Sequence, residues 1–157
     1  MKYVWVPLVL WCAALALVSP AWADKDVTAE DMGRFYPAQW EEDALGKRAF
    51  SNMEIPGHQK AYSSQYYAFG LVEFICYARE DSVYSRRVAK LEAKDKKYEG
   101  IEISGFQAVV FSSNRVIADI GGEILAYLEC YSCESREDLM ARFEKIDLAG
   151  LGGLLVR

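Results

Sequence analysis

The stretch that most constrains the fold runs from Val116 to Cys133, where two apolar runs flank Gly121-Gly122. A Gly-Gly pair suits the positive φ angles of a two-residue hairpin turn, so the pattern predicts two antiparallel strands. With Ile120 opposite Glu123, both faces of this hairpin are largely apolar. The expected faces are Val116, Ala118, Leu125 and Tyr127 on one side, and Ile117, Ile124, Ala126, Leu128 and Cys130 on the other. Such strands are covered on both sides, so this central hairpin (about 116–131) should organise the sheet.

Other patterns predict the remaining elements. Strands are expected at 49–55, 62–69, 71–77, 101–104 and 106–112, and Trp40 is expected in the core. Capping boxes start helices near Thr28 and Ser135, and Asp81-Ser82 starts a third that runs to about Lys97. Consecutive strands joined by tight turns form antiparallel sheets, so the fold class is predicted as α+β, with helices covering the sheet.

The first 23 residues have the pattern of an export signal. Lys2 is their single charge, an apolar run follows, and Ala21-Trp22-Ala23 is a small-x-small cleavage site. An uncleaved anchor is the alternative, because the segment is long enough to span a bilayer. We expect cleavage after Ala23, a periplasmic or secreted location in a bacterium, and one domain over 24–157.

Charge and composition exclude several functions. The chain holds 23 acidic and 18 basic residues, and a net charge of −5 argues against nucleic-acid binding. His58 is the only histidine, and it falls in a predicted turn, so neither a histidine metal site nor a serine-hydrolase triad is expected. No cofactor, metal or catalytic residue is predicted, and an enzyme is the less favoured class.

Part of the sequence resembles a known group of proteins. The residues are Gly105-Phe106-Gln107-Ala108-Val109-Val110, the central hairpin, and the segment from Glu144 to Leu151. They resemble the C-terminal half of small exported bacterial proteins of uncharacterised function, with a layered arrangement similar to the PsbP/Mog1 type of α/β/α sandwich. The resemblance implies a binding or assembly module. It rests on apolar pattern, and it assigns no functional residue.

The sequence Cys130-Tyr131-Ser132-Cys133 offers the clearest chemistry. Oxidising compartments favour disulfides, and a bond between Cys130 and Cys133 requires the chain to turn at the two residues between them. The competing hypothesis is a Cys76–Cys130 bond between strands. A helix beginning near Ser135 would lower a thiol pKa, so thiol–disulfide exchange through Cys130 and Cys133 is the alternative function.

Two further patterns suggest a binding surface. Tyr62 and Tyr66 share one face of a predicted aromatic strand. Core packing on both faces is the preferred interpretation of this strand, with a contact surface for partners as the alternative. The helix after Ser82 carries a basic face that includes Arg86, Arg87, Lys90 and Lys94. A solvated helix face is the preferred interpretation of these cations, with membrane contact as a weaker one. The leading expectation is a non-enzymatic exported module that binds an unidentified protein or small ligand of the cell envelope.

Overall fold

The computed structural model describes residues 27–37, 40, 47–51, 62–67, 69–79 and 83–156. These residues form seven strands and four helices. The strands are β1 (Lys47–Ser51), β2 (Tyr62–Tyr67), β3 (Gly70–Cys76), β4 (Tyr98–Ile103), β5 (Phe106–Phe111), β6 (Arg115–Ile120) and β7 (Ile124–Cys130). The helices are α1 (Ala29–Gly33), α2 (Val83–Glu92), α3 (Arg136–Phe143) and α4 (Leu148–Gly153). The predicted signal segment, the Asp81-Ser82 cap and His58 lie outside the described residues.

All the strand pairs are antiparallel, in the order β1-β2-β3-β7-β6-β5-β4. The predicted α+β class is therefore confirmed, and β6 and β7 lie inside the sheet as expected. No helix among the described residues is long and apolar enough to cross a membrane.

The register of the central hairpin differs from the prediction by one residue. Ile120 pairs with Ile124, so the loop has three residues, Gly121, Gly122 and Glu123. The predicted pairing of Ile120 with Glu123 is wrong because Asp119 accepts the N–H of Gly122 at 3.0 Å and holds the wider loop. Ile124 consequently joins the face that carries Val116 and Ile120, and Leu125 joins the opposite face with Ile117.

Helices cover both faces of the sheet, which confirms the α/β/α layering. On the first face, here called the α3 face, the core includes Phe74, Leu128, Leu139, Phe143 and Leu151. This face receives α1, α3 and α4. The opposite face, here called the α2 face, packs Ile75, Ile117 and Leu125 beneath Leu91 of α2. Trp40 is buried as predicted.

The helix ends agree with the predicted caps of α1 and α3 and disagree with the predicted end of α2. The side chains of Thr28 and Ser135 accept the predicted capping hydrogen bonds from the N–H groups of Asp31 and Asp138. However, α2 ends at Glu92 instead of near Lys97. The residues after it are drawn toward the β5–β6 turn, because Asp95 accepts hydrogen bonds from Ser112 and Ser113 there.

Candidate functional site

Cys130 and Cys133 form a disulfide, with their Cα atoms 5.6 Å apart. The chain turns between them, as predicted, because β7 ends at Cys130 and the helix cap follows at Ser135. Asn114 fixes the turn from the neighbouring loop: its side-chain amide donates to the carbonyl of Cys133, and its own carbonyl accepts from the N–H of Cys130. The competing Cys76–Cys130 bond does not form, because Cys76 pairs with Ile124 at the far end of β7.

Both cysteines are enclosed by the fold. Cys130 is 3% exposed and Cys133 is 8% exposed. Both belong to the core on the α3 face, where α3 begins three residues after Cys133. A redox disulfide usually presents one reactive sulfur to a partner. The geometry here is that of a covalent link between the end of β7 and the start of α3.

The structure places one of the two tyrosines of the possible binding surface in the core. Tyr66 is 1% exposed, so its assignment to a binding surface is wrong. Its ring packs against Tyr36 and Trp40, and its hydroxyl donates to the carbonyl of Trp40. Alternation in β2 was predicted correctly, but α1 and Trp40 cover this side. Tyr62 pairs with Cys76 in the sheet, and its side chain lies outside what is described.

The four cations of the predicted basic face lie in two different environments. Arg86, Lys90 and Lys94 are exposed, although Lys94 lies beyond the end of the helix. Arg87 points instead to the sheet: its guanidinium donates to the buried carboxylate of Glu73 at 3.1 Å and lies over the ring of Tyr127. Arg87 is therefore part of the packing between α2 and the sheet, and the assignment of Arg87 to a binding surface is wrong.

The strand that the sequence did not single out is β4, which is the edge of the sheet. No described element pairs with its outer side. Five of its six residues are at least partly exposed, and Tyr98 is 49% exposed. The preceding helix was predicted to run to about Lys97, but it ends at Glu92. Because that helix ends early, Tyr98 begins the edge strand instead.

The backbone hydrogen bonds show which groups of β4 face outward. The N–H of Ser112 donates to the carbonyl of Lys97 at 2.9 Å, in the same register that pairs Tyr98 with Phe111. Hydrogen-bonded pairs alternate along an antiparallel ladder, so Glu99, Ile101 and Ile103 direct their backbone groups toward β5. The N–H and C=O groups of Tyr98, Gly100 and Glu102 therefore point away from the sheet.

A cleft of 540 Å³ lies beside this edge, on the α3 face. Val110 and Leu139 give it apolar lining, and Lys97, Glu99 and Arg136 give it charged lining. Arg136, the first residue of α3, bonds the carboxylate of Glu99 at 2.6 Å and so ties the helix to the edge strand.

One carboxylate fixes the start of β4. Asp95 accepts hydrogen bonds from the N–H groups of Lys97 and Ser113 and from the hydroxyl of Ser112. Hydrogen bonds from Ser113, with those from Ser112 and Lys97, lower the pKa of Asp95 to about 2. The ionised side chain thus joins the α2–β4 connection to the β5–β6 turn, and it sets the position of the edge strand.

These edge groups were missed because the relevant signal is topological. The sequence of β4 does not indicate that this strand is the last of its sheet. Gly100 was the one available clue, since a glycine within a strand often marks a close approach of another backbone. Among the described residues, no group of three or more metal-ligating side chains occurs.

Comparison with known proteins adds no assignment: no family model, curated protein or solved structure matches the chain. The resemblance to PsbP/Mog1-type proteins stays a prediction.

Proposed function

We propose that the protein is an exported, non-enzymatic binding and assembly module whose docking site is the outer edge of β4 with the adjoining cleft. The observation that carries the proposal is the outward direction of the backbone groups of Tyr98, Gly100 and Glu102. An extended segment of a protein partner pairs with these groups and extends the sheet.

The cleft supplies the second element of such a site. In strand addition, main-chain hydrogen bonds provide affinity, and pockets for alternate side chains provide specificity. A strand docked on β4 directs every second side chain toward the α3 face, beside Val110 and Leu139. The Glu99–Arg136 ion pair holds the helix and the strand that form the two sides of this cleft.

Gly100 suits the role of a contact point. A Cβ atom built at this position meets nothing within 4 Å, so the glycine is not required by packing within the chain. A side chain at this position would stand perpendicular to the sheet, so Gly100→Ala keeps the outward N–H open to a partner strand.

The alternative function, thiol–disulfide exchange through Cys130 and Cys133, has less support. Both cysteines are buried, and exchange requires in-line access of a thiolate to one sulfur. The exposed cations of α2 and the residues after it support no specific ligand, so contact with a membrane surface is not proposed as the function.

The test is site-specific photo-cross-linking in the cell envelope. A photoreactive residue replaces Glu102 at the edge, and a control replaces Lys90 on α2. Cross-links to a protein partner should form at position 102 and not at position 90. They should persist in the Gly100→Ala background and disappear with Gly100→Pro, which removes the outward N–H. Equal cross-linking in the alanine and proline backgrounds would reject docking at this edge.

A further inference from the structure

The edge strand is complementary to itself. A two-fold axis perpendicular to the sheet pairs two β4 strands antiparallel and keeps their faces aligned. With the axis at Gly100, Tyr98 lies opposite Glu102 of the second copy, and Gly100 lies opposite Gly100. These are the residues whose backbone groups point outward. The register therefore forms about six main-chain hydrogen bonds across the axis.

The side chains also match in this register. Tyr98, Gly100 and Glu102 share the α2 face, and no described residue bonds the Tyr98 hydroxyl or the Glu102 carboxylate. Pairing brings that phenol, a hydrogen-bond donor, against that carboxylate, which is an acceptor. Lys96 and Lys97 stand just before Tyr98, so their charges lie near Glu102 of the second copy. The basic start of each strand consequently meets the acidic end of the other.

The α3 face gives a second match. Ile101, which is half-buried in the monomer, lies opposite Glu99 of the second copy and beside its cleft. The apolar cleft lining of Val110 and Leu139 is then next to an apolar side chain.

We propose that β4 of a second copy of this chain occupies the docking edge, giving a two-fold dimer with one continuous sheet through Gly100. This proposal rests on the proposed function, since it names the partner strand for the same edge. An interface made of one strand pair is small, so the dimer is weak and concentration-dependent.

Sedimentation equilibrium on the exported protein, purified from cells that express the whole chain, tests the proposal. Wild-type protein should show a monomer–dimer equilibrium at or below about 1 mM. Gly100→Ala, which keeps the N–H, should leave the dissociation constant within about twofold. Gly100→Pro removes two central hydrogen bonds and should raise the constant by about tenfold or more. Circular dichroism establishes that both variants fold.

A charge reversal tests the register separately. Glu102→Lys should weaken dimerisation about threefold, because it leaves Tyr98 of the second copy without an acceptor. Tyr98→Glu/Glu102→Lys should restore dimerisation, because it places opposite charges directly across from each other. A wild-type protein that stays monomeric at about 1 mM would overturn the proposal, as would equal association of the alanine and proline variants. Failure of the double variant to restore association would overturn the pairing centred on Gly100. A different result would contradict the proposed function: protection of the outward amides of β4 from hydrogen exchange in the dilute monomer.

Discussion

Reduction of the Cys130–Cys133 disulfide should cost about 2 kcal/mol of the free energy of unfolding. The bond closes a loop of four residues, since the cysteines are three positions apart. The chain-entropy relation for such a loop gives about 6 cal/mol/K, which is about 2 kcal/mol at 25 °C. Because both cysteines are buried, the folded protein should keep this bond in about 1 mM glutathione, and reduction should require the fold to open. Urea unfolding with and without a strong reductant measures the difference.

The control is the Cys130→Ala/Cys133→Ala variant, which should unfold at the same urea concentration in both conditions. A loss below about 0.5 kcal/mol on reduction would contradict the reasoning, because the link would then constrain no part of the unfolded chain. Rapid reduction of the folded protein by glutathione would contradict the enclosure of the sulfurs and would favour the thiol–disulfide alternative.

Three further changes test the core, a buried ion pair and the Asp95 hydrogen bonds. Phe143→Ala empties a fully buried site on the α3 face and should cost about 3–5 kcal/mol in chemical denaturation; a cost under about 1 kcal/mol would place the ring outside the core. Arg87→Met removes a cation from the buried carboxylate of Glu73 and should cost about 2 kcal/mol, most of which Glu73→Leu/Arg87→Met should recover in the same measurement. Asp95 has a lowered pKa in the folded protein, so its stabilising effect is present above about pH 4 and is lost as the pH falls toward 2. Asp95→Ala should therefore flatten the stability profile between those pH values, and an unchanged profile would refute its role.

The fold class followed from patterns that are local to the chain. Apolar residues on both faces of the central hairpin predicted a strand pair covered by two layers of helices, and Ser135 predicted the start of α3. The hairpin register was missed by one residue. The side chain of Asp119 sets the loop length by accepting a hydrogen bond from Gly122, and a Gly-Gly pair does not reveal this bond.

The candidate site depended on information that a single sequence does not carry. Alternation placed Tyr66 on a face of β2 correctly, but only the fold shows that α1 and Trp40 cover this face. In the same way, Gly100 and Glu102 lie at an edge because β4 is the last strand of the order, which is a property of the long-range pairing. The disulfide was predictable because it joins residues only three positions apart.

Residue-resolved amide hydrogen exchange along β4 tests the docking edge most directly. In dilute protein, the amides of Tyr98, Gly100 and Glu102 should exchange rapidly, and those of Glu99, Ile101 and Ile103 should be protected by β5. At concentrations where the partner strand binds, the three outward amides should gain protection while the other three change little. Uniform protection of all six amides in the dilute protein would mean that the edge is already covered, and it would contradict the account.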